Sequence, residues 1–172
     1  ERSSDLGPTG YSLINGGYDH YYACIEGSDI LGDVAVGRIS ADSAQEMAKI
    51  LRKITRYESQ PYVTDSSWLN HSAFLVASEP YCALSMINCC RNISAEMVDS
   101  RNYTDIDTTW CSNSTPVIPW FNEGISHYAY RGWIGMEGLS QSGIEGLTQG
   151  DRTPVVTIFT CSTGDFHSSD DF

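Results

Sequence analysis

Three apolar runs, with a helix-sized spacer before the last of them, restrict this chain more than any other feature. "HSAFLVASE" (71–79), "GISHYAYRGW" (124–133) and "VVTIF" (155–159) are rich in β-branched and aromatic residues and have Gly or Pro beside them. Each therefore reads as a strand with at least one buried face. Between the second and third, "SGIEGLTQG" (142–150) reads as a short helix ending at Gly150. A connection of that length is not a hairpin turn; it suits the crossover that joins two parallel strands. A further helix is expected from Ser43 to about Glu58. Ser43 and Glu46 make a capping box, and Ala44, Met47, Ala48, Leu51 and Ile54 form one apolar stripe. That stripe should be buried on the sheet, with Lys49, Arg52, Lys53 and Arg56 on the solvated face. "YDHYYACIEG" (18–27) and "DVAVGRIS" (33–40) read as two more strands. The region from Pro80 to Pro119 reads as polar and irregular, with one short helix near 95–100. Alternating strands and helices specify an α/β fold with a mostly parallel sheet flanked by helices.

The charge balance excludes one class of partner. Ten Lys and Arg stand against 22 Asp and Glu, a net charge of −12, whereas nucleic-acid binding needs clustered cations. No apolar run is long enough for a membrane-spanning helix, and "ERSSDLGPTG" has no apolar core of a signal peptide. The chain reads as part of one domain, truncated at both ends. Of the six cysteines, no two make a C-x-x-C pair, which argues against a zinc ribbon or a thioredoxin-like motif. Cys82, Cys89, Cys90 and Cys111 are close enough in sequence to form one or two bridges in an exported protein. N-x-S/T matches at Asn70, Asn92, Asn102 and Asn113 suit an exposed chain if its source glycosylates exports.

The chemistry centres on "TCSTGDF" (160–166), where Cys161 follows an apolar strand and opens a loop of small residues. The carboxyl edge of an open α/β sheet is where reactive groups are presented; the plain alternative is a buried, space-filling thiol. Three thiol chemistries can be tested by spacing. A phosphatase loop needs an Arg shortly after the cysteine, and "CSTGDFH" has none. A nucleophile elbow needs Gly two positions before and after, where this chain has Phe159 and Thr163. A cysteine peptidase needs a histidine brought close in space and donors for an oxyanion, and this pattern remains open.

At this point the residues resemble the gingipain-type cysteine peptidases, whose catalytic domain has a caspase-like α/β fold. "TCSTGDF" resembles the family's nucleophile loop, and "FNEGISHYAYRGW" (121–133) the strand leading to its catalytic histidine. "GIEGLTQGDRTP" resembles the helix and turn between them. "DHYYACIEGSDILGDVAVGRIS" with the capped helix resembles an earlier block, and "AFLVASE" the strand ending in an acidic residue. The resemblance implies a secreted or cell-surface peptidase acting on peptides or proteins. Cys161 would be the nucleophile at the end of a central parallel strand beside 125–131. The backbone N–H groups of Cys161 and Ile134 would hold the oxyanion, and Glu79 would support the histidine. No cofactor is implied beyond structural calcium, for which Asp19, Asp29 and Asp33 are the candidates. One position departs from the pattern: Trp133 stands where the catalytic histidine is expected. An indole donates a hydrogen bond but accepts no proton. Either His127 or His20 supplies the base, or the site has none and the domain is a silent homologue that binds peptides or partners.

Overall fold

The computed structural model describes residues 19–60, 65–78, 80–112 and 116–161. They fall into two compact units, one ending at Asp42 and one beginning at Ser43.

Among the described residues of the first unit the only regular element is α1 (His20–Ala23). The two strands expected over 18–27 and 33–40 are not formed among the described residues. Side chains occupy the backbone there instead: the Asp33 carboxylate accepts the N–H groups of Ile25 (2.8 Å) and Glu26 (2.9 Å). Arg38 donates from Nε to Asp19 at 2.8 Å and also pairs through Nη2. Local bonds of this kind compete with a strand ladder.

The second unit holds α2 (Ala44–Ser59), a 3-10 turn (Ser67–Asn70), β1 (His71–Val76), α3 (Leu84–Arg101), β2 (Asp105–Trp110), α4 (Val117–Glu123), β3 (His127–Ile134), α5 (Gln141–Glu145) and β4 (Val155–Cys161). The four strands lie in the order β2-β1-β3-β4, all parallel. β1 is buried from Ser72 to Val76 because helices cover both faces. Alternation along the strands divides the core in two. Ala73, Leu75, Tyr128 and Tyr130 meet Val117, Trp120 and Phe121 of α4. Phe74, Val76 and Ala129 meet Cys90 of α3, with Met86, Ile87 and Met97 packed around them.

Three sequence expectations change here. The 80–119 region is not irregular: it contributes α3, β2 and α4. Cys90 is the buried residue of α3, so the helix has a narrow contact face and no clear apolar stripe. It stops at Asn102, whose left-handed conformation (φ 59°) lets its N–H bond to the Met97 carbonyl. α2 has the expected cap, with Ser43 Oγ accepting the Glu46 N–H at 3.2 Å, but it buries no residue, and Leu51 remains 46% exposed. Instead of packing flush, the helix stands off from the sheet. A groove of about 550 Å³ opens between Ile50, Ile54 and Tyr57 on one side and Phe121, Leu147 and Val156 on the other. Finally, β4 runs parallel to β3 as expected but is the end strand of the described sheet, not a central one.

Candidate active site

The chain leaves β1 toward β2 on one side and leaves β3 toward β4 on the other, so a crevice opens between β1 and β3 at the carboxyl edge of the sheet. Cys161 lies on that edge as the last residue of β4, with Ile134 of β3 as its Cα partner. The register reaching that pair is irregular. Arg131 is opposite Phe159, but the next aligned pair is Ile134 and Cys161, so β3 carries one extra residue, a bulge at Gly132–Trp133. Without it, Trp133 would face Cys161. With it, the Trp133 ring is 51% exposed and stacks on Tyr81, at 5.9 Å between centroids and 6° between planes.

The polar groups disturbed by the bulge are taken up by side chains. Arg131 Nη1 donates to the carbonyls of Gly132 (3.0 Å) and Phe159 (2.8 Å), and Thr160 Oγ1 donates to the Trp133 carbonyl. The Tyr130 phenol lies over Gly132, where an added Cβ would come within 2.1 Å of its hydroxyl. Its oxygen accepts the Glu137 backbone N–H. The Glu137 carboxylate reaches back across the crevice to β1: Ser78 N–H donates to both oxygens (2.9 and 3.1 Å) and Ser78 Oγ to one (2.7 Å). Gly135 (φ 71°) and Gly138 (φ 78°) make the tight excursion that returns Glu137 to Ser78. A disulfide between Cys82 and Cys111, with Cα atoms 5.3 Å apart, ties the loop carrying Tyr81 to the end of β2.

The remaining sequence candidates are elsewhere or outside the described residues. Glu79 and the loop after Cys161 lie outside them. His127 is at the amino end of β3, opposite Ser72 and Val155. Six residues separate it from Trp133, about 20 Å along a strand, so β3 does not bring its imidazole to Cys161. It sits half-buried against Phe74, 6.3 Å between ring centres, and burial pushes its pKa below the ordinary value. His71 is at the same far edge, with Nε2 2.8 Å from Asp107. His20 belongs to the first unit. Asp19 is held by Arg38, Asp33 by two backbone N–H groups, and Asp29 accepts the Leu31 N–H at 2.9 Å. Among the described residues no three His, Cys, Asp or Glu side chains converge as a metal site. The sequence reading missed Ser78, Tyr81, Tyr130, Arg131 and Glu137. The one local hint was the pair of glycines around Met136–Glu137; the partners come from a distant strand.

With this geometry in view, the chain can be set beside known proteins. The sequence model of peptidase family C25 matches residues 5–172. Gingipain R2 of Porphyromonas gingivalis is 26% identical over 159 residues, covering 86% of this chain and 21% of that protein. Gingipain R1 of the same organism is also 26% identical over 159 residues, covering 86% of this chain and 16% of its own length. The chain thus spans about a sixth to a fifth of the length of these curated relatives. The crystal structure of the Arg-specific cysteine proteinase gingipain R (RgpB) superposes with a TM-score of 0.72 at 24% identity, covering 89% of this chain and 38% of that one. The complex of Porphyromonas gingivalis RgpB pro- and mature domains gives 0.73 at 24% identity, with the same coverage of 89% and 38%. The fold is the α/β, caspase-like one seen in those structures.

Proposed function

The chain belongs to peptidase family C25, the gingipain-type cysteine peptidases, and from that premise we propose that it carries a peptide-cleaving site with Cys161 as nucleophile. The observation behind this reading is the register of Ile134 on Cys161 at the carboxyl edge. It puts the two backbone segments expected to stabilise an oxyanion side by side. The Cys161 thiolate adds to the scissile carbonyl, and the backbone N–H groups of Cys161 and Ile134 hold the oxygen as it gains charge. Collapse of this intermediate breaks the C–N bond; the amine leaves with the proton that Cys161 gave up on becoming a thiolate, and an acyl-thioester remains on Cys161. Water then hydrolyses the thioester and frees the thiol. The substrates are peptides or proteins. The Cys82–Cys111 disulfide supports an oxidising location, secreted or at the cell surface; among the described residues no helix is long and apolar enough to cross a membrane.

A specific observation favours a second reading, in which the same crevice binds peptides without turning them over. Trp133 takes the position expected for the base and is stacked on Tyr81, and an indole accepts no proton. The pH dependence of iodoacetamide alkylation at Cys161 in the full-length protein separates the two. An active site predicts a thiolate that still reacts well below pH 7 and loses that reactivity when one of the two sequence candidates, His20 or His127, is mutated. A single titration near the ordinary thiol value of about 8.5, unmoved by either mutation, would leave only a few per cent thiolate at neutral pH and favour binding.

A further inference from the structure

We propose that Glu137 is a positioning residue for the oxyanion side of this site, acting through the Ser78 clamp on the backbone of Ile134. The proposal rests on the reading of Cys161 and Ile134 above and adds the group that holds that pair in place. A bulge interrupts the ladder between Arg131 and Ile134, so Ile134 is held in register by the single pairing to Cys161 beyond the break. Contacts from the loop side complete the job. The Glu137 carboxylate takes three hydrogen bonds of 2.7–3.1 Å from Ser78, 59 residues away and just past the end of β1. The Glu137 N–H bonds to the hydroxyl of Tyr130, whose ring lies across Gly132. Met136, its neighbour, packs on the core beneath α4. Gly135 and Gly138 are the left-handed positions flanking these anchors; without the clamp, the turn would be free to pivot at both. Hydrogen bonds to a carboxylate are about twice as strong as neutral ones, which makes this the firmest attachment of the turn to β1. Trp133 and Ile134 are then held from both ends: Arg131 and Thr160 act on the strand side, Glu137 on the loop side.

Two reactions of Cys161 separate positioning from simple support. Alkylation by iodoacetamide displaces iodide at a saturated carbon and forms no oxyanion. Acylation by N-acetylglycine p-nitrophenyl ester does form one: the thiolate adds to the carbonyl, the C–O bond breaks, and p-nitrophenolate leaves as the thioester forms. That leaving group needs no proton, so the reaction can be followed even where a general base is missing. Both rates are measured on the full-length protein, with C161A as the blank for the other thiols. The ratio of acylation to alkylation should fall about tenfold to a hundredfold in E137A, within the range that misplacement by about 1 Å produces. E137Q, whose amide oxygen can still accept from Ser78, should keep most of the ratio, and S78A, which retains the backbone donor, should lose only a few-fold. An unchanged ratio in both E137A and S78A, or a parallel fall of both rates, overturns the proposal. If E137A does not fold, S78A decides alone. A wild-type ratio equal to that of free N-acetylcysteine would instead show that no oxyanion site exists. That outcome sinks the reading of Cys161 and Ile134 and this inference with it.

Discussion

Two tyrosines on one face of β3 show how closely neighbouring residues can differ. Tyr128 and Tyr130 are both fully buried in the core beneath α4, yet only Tyr130 has a hydrogen-bond partner for its hydroxyl, the Glu137 N–H. The Tyr128 hydroxyl is buried without one among the described residues, and burial raises its pKa far above the ordinary phenol value. Tyr128→Phe removes an unsatisfied polar group, so stability should be unchanged or rise by up to about 1 kcal/mol. A loss of that size in a urea titration would reveal a buried water on the hydroxyl. Gly132→Ala is the contrasting case. Its Cβ would overlap the Tyr130 phenol, so the ring must leave its place, at a cost of about 1–3 kcal/mol. An unchanged midpoint would show that Tyr130 can swing aside freely. Neither outcome is legible in "HYAYRG": the alternation places both rings on the buried face but does not say which hydroxyl finds a partner.

Among the elements, β1 and α2 are the extremes. β1 is a continuous apolar run, and the sheet buries it on both faces. α2 has an apolar stripe equally visible in the sequence, but no residue of it is buried. Leu75→Ala should therefore cost about 2–5 kcal/mol, while Leu51→Ala should cost less than about 1 kcal/mol because Leu51 is already 46% exposed. Comparable losses from the two, measured by chemical denaturation, would mean that α2 packs more closely than the groove beside it allows. The stripe was a sound sign of a helix and a poor sign of its burial. Hydrophobic periodicity is local, whereas burial depends on how closely another element approaches. The reverse holds for α3, whose eighteen residues show little stripe because a narrow contact around Cys90 suffices. That burial raises the pKa of the Cys90 thiol, while Cys89 next to it is exposed. Brief iodoacetamide treatment of the native protein should label Cys89 and spare Cys90; equal labelling would place the α3 face in solvent.

For the molecule as a whole, stability should vary with pH in a direction His127 sets in part. Its folded pKa is depressed because burial disfavours the charged ring, so the unfolded chain binds the proton more readily. The neutral imidazole therefore contributes its full stability above the unfolded value of about 6.5, and that contribution declines as pH falls toward the lower folded value. Urea midpoints between pH 8 and 5 should fall more steeply for wild type than for His127→Gln; parallel slopes would show the ring to be solvated. Strands β1, β3 and β4 with the crossover between the last two, the α/β class, the family and the place of Cys161 at a strand end were all determined by the sequence. Each rests on a signal within a dozen residues or so: apolar runs, a capping box, a helix-sized connection, a nucleophile-like loop. Tertiary structure alone decided that a bulge turns Trp133 onto Tyr81, that β3 keeps His127 at the far edge, and that Ser78 holds Glu137. Those outcomes depend on register and contact between segments as much as 59 residues apart, where the energy of a pairing exists only once both partners have been brought together.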